Sequence, residues 1–193
     1  MHWRSGRSGP EASDNNGMTS EEIFLARSRY YLSKEYLAKI RQCIAVLPEG
    51  AAWKRPNESS NSIANLLLHL AGNIRQWIVG GVGGKEVPRD RAAEFSARDG
   101  GDVRDLLSDL ERAVGEVDEV LATVKPEELT RECTIQGRDT TVLAAIYHVV
   151  EHFAMHTGQI VMMTKAAAPN AIHFYDDSGW TARPLWGGAE GMR

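Results

Sequence analysis

Apolar residues recur at helical spacing in four stretches of the chain, each bounded by turn-forming residues. The first follows Thr19-Ser20-Glu21-Glu22, where Thr19 and Glu22 stand at capping-box spacing, and it sets Ile23, Leu25, Tyr30, Leu37, Ile40, Ile44 and Leu47 around a broad apolar stripe that Pro48 and Gly50 end. The second is IANLLLHLAGNIRQWIV. Its Ile63, Leu66, Leu67, Leu70, Ile74, Trp77 and Ile78 keep the helical period, and Gly80, Gly81, Gly83 and Gly84 are expected to stop it. The third starts near Asp102, shows Val103, Leu106, Leu107, Leu110, Val114, Val117 and Leu121 on one face, and ends before Pro126. The fourth, capped by Thr140 or Thr141, runs to about Ala167. Between the last two, ELTRECTIQGRDT is short and partly β-like, with a turn at Gly137.

Four amphipathic helices with no strand-rich block predict an all-α fold, a four-helix bundle. KEVPRDRAAEFSARDGG, between the second and third helices, is polar and long for a bundle connection, and an irregular loop is expected there. Residues 1–18 are nearly free of aliphatics and are expected to be disordered. Residues 19–168 form the bundle domain, and 169–193 an irregular tail whose Phe174, Tyr175, Trp180 and Trp186 either cover the bundle mouth, bury an interface or hang loose.

Composition narrows the partners. With 22 Lys+Arg against 26 Asp+Glu the net charge is −4, and no basic cluster marks a surface for nucleic acid or anionic membrane. No apolar run is long enough to span a bilayer, and the first residues lack the apolar centre of a secretory signal. Cys43 and Cys133 form no CxxC unit and are expected to be ordinary small residues. A cytoplasmic location is the expectation.

The candidate chemistry lies in the fourth helix. HVVEHFAMH, His148 to His156, has three histidines at four-residue intervals with Glu151 among them. Residues four apart lie one turn above one another and about 40° around the helix, so a His-x-x-x-His pair can aim two imidazoles at one ion. Two parses compete. His148 to His152 fits the H-x-x-E-H pattern, in which two histidines bind zinc and Glu151 is the general base of a metalloprotease. In the other parse His152 and His156 are the ligands. Relative to the stripe centred on Val142, Ile146, Val149, Phe153 and Ile160, His156 lies about 50° away, His152 about 90°, His148 about 130° and Glu151 about 170°. A base facing solvent cannot activate water inside a bundle, which favours the second parse. Catalytic zinc takes three protein ligands. The other histidines are His2 in the polar start, His173 in the tail, and His69 on the rigid second helix. His69 sits on a flank about 120° from that helix's apolar centre, so periodicity alone does not select it.

The segments NSIANLLLHLAGNIRQW (61–77) and YHVVEHFAMHTGQIVMMTK (147–165) resemble those of the DinB-like (YfiT-like) four-helix-bundle metalloproteins, and RDRAAEF (89–95) is similar to the loop after the second helix in one branch of that family. The resemblance spans roughly residues 20–167 and rests on His-x-x-Gly-Asn in the second helix and H-x-G-Q-I closing the fourth. It implies a three-histidine site, His69, His152 and His156, for one divalent metal ion such as zinc, nickel or iron, often within a homodimer. It also implies a small-molecule substrate and an activity like that of its relatives: transfer using a low-molecular-weight thiol as cosubstrate, or hydrolysis. A non-catalytic, stress-related metal- or ligand-binding bundle is the alternative from a different class, and the H-x-x-E-H protease is a third. Around the triad, His148 is expected outside the ligand set. Asn73 either reaches toward the metal or joins two helices. Gln159 falls about 20° from His152 and is expected to reach the site. Gly158 is expected to let a helix approach closely. Arg75, Arg89 and Arg91 serve either an anionic substrate or surface ion pairs.

Overall fold

In a computed structural model, which describes residues 17–176, 178 and 183–185, the first apolar stripe is one continuous helix, α1 (residues 20–46). The Thr19 hydroxyl accepts from the Glu22 amide and Glu22 Oε2 accepts from the Thr19 amide, the expected capping box. Leu25 and Leu32 share one phase of an α-helical wheel, whereas Leu37, Ile40 and Ile44 share another, roughly 100° away. The helix reconciles the two sets by running as a π-helix over Tyr31–Tyr36, whose wider turn absorbs the offset, and all five side chains are buried. The breadth of the stripe in the sequence is therefore a phase shift, and Leu32 joins the core through it. The expected disorder before residue 17, together with His2, Trp180 and Trp186, lies outside the described residues.

The second helix, α2 (residues 63–82), is α-helical over Ile63–Ile74 and π-helical over Arg75–Val82. Ser62 caps it, accepting from the Asn65 amide while Asn65 Oδ1 accepts from the Ser62 amide. Gly80 and Gly81 do not stop it, as expected from sequence, but lie inside it. A side chain at Gly81 would collide with Ile135, which packs there from the hairpin, so the glycine serves packing rather than termination. The helix ends at Val82, and Gly84 adopts φ +71°.

The connection expected to be irregular contains a further helix, α3 (Arg91–Ser96). Asp90 Oδ1 accepts from the Ala93 amide at its start. At its end, Asn65 Nδ2 donates to the carbonyls of Glu94 and Ala97, and Arg55 Nη2 donates to those of Phe95 and Ala97 and to Asn65 Oδ1. Six residues are too few for a self-sustaining helix. These bonds staple it to the first turn of α2, so α2 is covered on a flank that a four-helix bundle would leave open. Asn65 and His69, on that flank, are buried beneath it.

The bundle is completed by α4 (Val103–Thr123), capped by Asp102, and α5 (Val142–Ala167), capped by Thr141. Arg75 ties α2 to α4 through Asp109 and Glu116. Strands β1 (Glu132–Ile135) and β2 (Arg138–Thr141) form a hairpin between them. Its two-residue turn places Gln136 at φ +55° and Gly137 at φ +72°, the pair of positive values a tight right-twisted hairpin requires. In the tail, Tyr175–Asp176 pairs with Arg183–Pro184. Val142, Ile146, Val149, Phe153 and Ile160 of α5 are buried as their periodicity predicts. Among the described residues no helix is long and apolar enough to cross a membrane.

Candidate metal centre

Helices α2 and α5 run antiparallel and bring three imidazoles together in the bundle. His69 Nε2 and His156 Nε2 each lie 3.1 Å from His152 Nε2, and one ligand atom from each residue falls within 4.8 Å of the others. Nitrogens held tetrahedrally by one zinc at about 2.0–2.1 Å stand roughly 3.3 Å apart, close to the two separations from His152, so the donor set is of the right kind and spacing for a divalent ion. His69 and His156 are buried, and His152 is half-buried. Burial pushes the pKa of His152 down to about 3, helped by His156, His69, His148 and Arg89 around it. Burial lowers that of His156 as well, against the opposing effect of its hydrogen bond to Gln159 Oε1. Both rings are neutral at physiological pH, the form in which imidazole binds a metal.

The far sides of two rings are fixed. His69 Nδ1 lies 2.9 Å from Glu94 Oε2. Arg89 forks onto the same carboxylate, Nε donating to Oε1 at 2.6 Å and Nη2 to Oε2 at 2.8 Å. Burial works to raise the Glu94 pKa, but the hydrogen bonds from Arg89 and His69 prevail and hold it below the usual carboxylate range. A carboxylate acceptor places the His69 proton on Nδ1 and leaves the Nε2 lone pair facing the other two rings. Gln159 Oε1, 2.7 Å from His156 Nδ1, does the same for His156. The clamp extends outward, since Arg89 Nη1 and Gln136 Nε2 both donate to Gln76 Oε1, tying the hairpin turn to the same network. Phe95 packs its ring 4.5 Å from that of His69. Gly72 makes this possible, because a Cβ there would collide with Glu94 Oε1 and crowd Arg89 Nε.

Glu94 escaped the sequence analysis as a functional residue. The available signal was a capping Asp90 followed by the helix-forming Arg91-Ala92-Ala93-Glu94, and nothing local says that this helix lies against α2. The flank position of His69 on its wheel was correct, and α3 turns that flank into interior.

The remaining candidates divide. His148 is half-buried against Trp77, their ring centroids 4.1 Å apart, and is not part of the three-nitrogen cluster. Glu151 is exposed, as the wheel placed it. His173 is exposed in the tail. Arg75 is committed to Asp109 and Glu116, Arg89 to Glu94, and Arg91 lies over the Phe95 ring. Gly158 does not admit a neighbouring helix as expected: nothing lies within 4 Å of where its Cβ would be. It lines a surface cleft of about 700 Å³ with Leu66, Met155, Gln159, Met162 and Met163. Burial raises the thiol pKa of both Cys43 and Cys133, so neither is primed as a nucleophile.

Fold and site together define a four-helix-bundle protein with an internal triad of imidazoles shared between two antiparallel helices. Residues 21–174 match the family described as "Protein of unknown function (DUF1572)", and the chain belongs to that family. Among solved structures, it is similar to YfiT from Bacillus subtilis, described as a probable metal-dependent hydrolase with an unusual four-helix bundle topology. That match has 18% identity and a TM-score of 0.63 over 83% of this chain and 94% of that one. A DinB-like protein from Bacillus cereus ATCC 10987 matches at 14% identity and TM-score 0.61, over 79% of this chain and 95% of that one. The DinB-like protein YjoA from Bacillus subtilis matches at 18% identity and TM-score 0.57, over 80% and 99%. A comparison with curated proteins returns no match. The fold expected from the DinB-like resemblance of the histidine motifs is thus borne out.

Proposed function

We propose that this protein is a divalent-metal-dependent enzyme in which His69, His152 and His156 hold one ion through Nε2. The observation that carries the proposal is the convergence of three Nε2 atoms, two of them on rings whose opposite nitrogen meets a side-chain oxygen acceptor. Zinc, nickel and iron all accept imidazole ligands. Such an ion, when bound, supplies the Lewis acidity that makes a small water or thiol ligand nucleophilic near neutral pH.

The surrounding residues bear on which nucleophile is used. Among the described residues no carboxylate near the triad is free to act as a base: Glu94 has Oε1 held by Arg89 and Oε2 by Arg89 and His69, and Glu151 is exposed. A thiol needs less help from a base than water does, because it ionises closer to neutral pH. S-transfer from a low-molecular-weight thiol to a small electrophile is therefore the first reading. Hydrolysis is the second, favoured by the fold likeness to YfiT. The H-x-x-E-H protease finds no support, with Glu151 exposed and His148 packed on Trp77. A homodimer remains part of this reading. Leu143, Tyr147, Met155 and Met162 are exposed along α5 as the face for a second copy, and light scattering tests it.

The test is elemental analysis followed by activity. Chelator-free protein is expected to carry one divalent ion per chain. Metal-loaded protein is expected to turn over thiol plus electrophile faster than esters or amides, and His156→Ala to abolish both metal and turnover. Sub-stoichiometric metal in the wild type sinks the proposal. Full metal with no turnover on either substrate class leaves the non-catalytic binding protein standing in its place.

A further inference from the structure

Two pinned tautomers leave the third to explain. His69 and His156 each have an acceptor behind the ring, but His152 Nδ1 is buried and has no hydrogen-bond partner. An imidazole that turns the Nε2 lone pair toward an ion carries its proton on Nδ1, and a buried N–H left without an acceptor is destabilising, because it has given up its hydrogen bond to water for nothing. A ligand set of three therefore needs a third acceptor.

One buried acceptor in the described bundle is also without a partner. Asn73 is 4% exposed, yet its Oδ1 makes no hydrogen bond. A buried amide oxygen left unsatisfied calls for an explanation. Its place in the fold supplies one. Helix α2 touches α5 at His69, whose Nε2 is 3.1 Å from that of His152, and again at Trp77, whose ring packs tilted against that of His148. Asn73 lies midway between these two contacts on the same face of α2, and so at the level where α5 passes from His148 to His152. The other groups behind the triad are committed: Glu94 to Arg89 and His69, and Gln159 to His156.

We propose that Asn73 is a positioning residue whose Oδ1 accepts the Nδ1–H of His152 when the triad holds its ion, fixing the tautomer and ring plane of the third ligand as Glu94 and Gln159 fix the other two. The structure does not join the two groups; the proposal is that they meet when the triad holds its ion. The inference rests on the three-histidine metal reading.

Two substitutions of similar size separate this role from packing. Asn73→Asp keeps an acceptor and adds charge, whereas Asn73→Leu keeps volume and removes the acceptor. If Asn73 only fills space between helices, Leu is tolerated better than Asp, because a buried unpaired carboxylate is costly. If it accepts from His152, Asp retains or tightens zinc binding and Leu weakens it by roughly 10–100-fold. Zinc affinity is read by chelator competition on the full chain, with Asn73→Ala as the acceptor-free variant should Leu not fold. A second readout is the ring N–H resonance of His152 in protein labelled with ¹⁵N-histidine and loaded with zinc. It is expected downfield and slowly exchanging in wild type and Asn73→Asp, and lost in the acceptor-free variants. Equal affinities across the series, or the order Leu above Asp, overturns the inference while leaving the metal site intact. A wild type that binds no stoichiometric zinc overturns the metal reading first, and this inference with it.

Discussion

Two arginine–carboxylate clamps lie against α2, one reaching out from the helix at Arg75 and one closed over it by Arg89 and Glu94, and they teach different things. Arg75 forks onto Asp109 and Glu116 of α4, with the arginine side chain 21% exposed and its partners 35% and 42%. Arg89 forks onto Glu94 beside α2, with the side chains 4% and 10% exposed, and the same carboxylate continues to His69. The first joins two helices in partial contact with water, where ion pairs are worth little because solvent screens them. The second is sealed, and its carboxylate is spent on orienting an imidazole. Bond lengths are similar in the two; burial, and the group at the end of the chain, separate a brace from a device.

The sharpest way to break this contrast is at Glu94. Glu94→Ala leaves the Arg89 guanidinium buried without its counter-charge, an expected loss of about 3–5 kcal/mol in denaturant unfolding. Glu94→Gln keeps the shape and is expected to weaken metal affinity by roughly 10–100-fold in a chelator competition. Unchanged affinity in Glu94→Gln would mean that the clamp is only a brace. Next in size is Gly72→Ala, which pushes a methyl group into Glu94 and Arg89. It is expected to cost about 1–3 kcal/mol and to lower metal affinity together with stability, although residue 72 touches no ligand.

The two regions also part in their pH dependence. His152 has a folded-state pKa near 3 against an ordinary 6.5, so the unfolded chain takes up its proton first. Its contribution is complete above about pH 6.5 and drains away as pH falls toward about 3. Asp109, held below its ordinary 3.8 first by the hydrogen bond from Arg75, contributes above that value and is lost only below it. Metal-free protein is therefore expected to weaken from pH 6.5 downward in urea titrations. His152→Gln should flatten the slope between pH 6.5 and 4, whereas Arg75→Met should alter only the acid end. A slope unaffected by His152→Gln refutes the assignment. Smallest of all are Arg75→Met at neutral pH, about 1 kcal/mol with metal content unchanged, and Glu151→Gln, within about 0.5 kcal/mol and silent in metal content.

Much of this arrangement is legible in the chain. The four apolar periods, the Thr19–Glu22 box, the hairpin turn near Gly137 and the inward turn of His152 and His156 all follow from local chemistry, since each needs only residues within a few positions of one another. Three features resisted. Gly80 and Gly81 look like terminators, but the helix runs through both, and Ile135 occupies the space beside Gly81. Leu32 looks out of place until a π segment shifts the phase of α1. The stretch Arg91–Ser96 looks like loop because its stability comes from Arg55 and Asn65, donors up to 42 positions away.

By itself, then, the sequence determined an all-α bundle with a pair of histidines on the inner side of its last helix, because helical periodicity is a local property. Only the tertiary structure made His69 interior. Its burial depends on a six-residue helix that cannot stand alone, capped by Asp90, stapled by Arg55 and Asn65, and seated over Gly72 so that Glu94 meets the ring from behind. Whether a flank is solvent or core is decided by what covers it, and no wheel drawn on one helix contains that information.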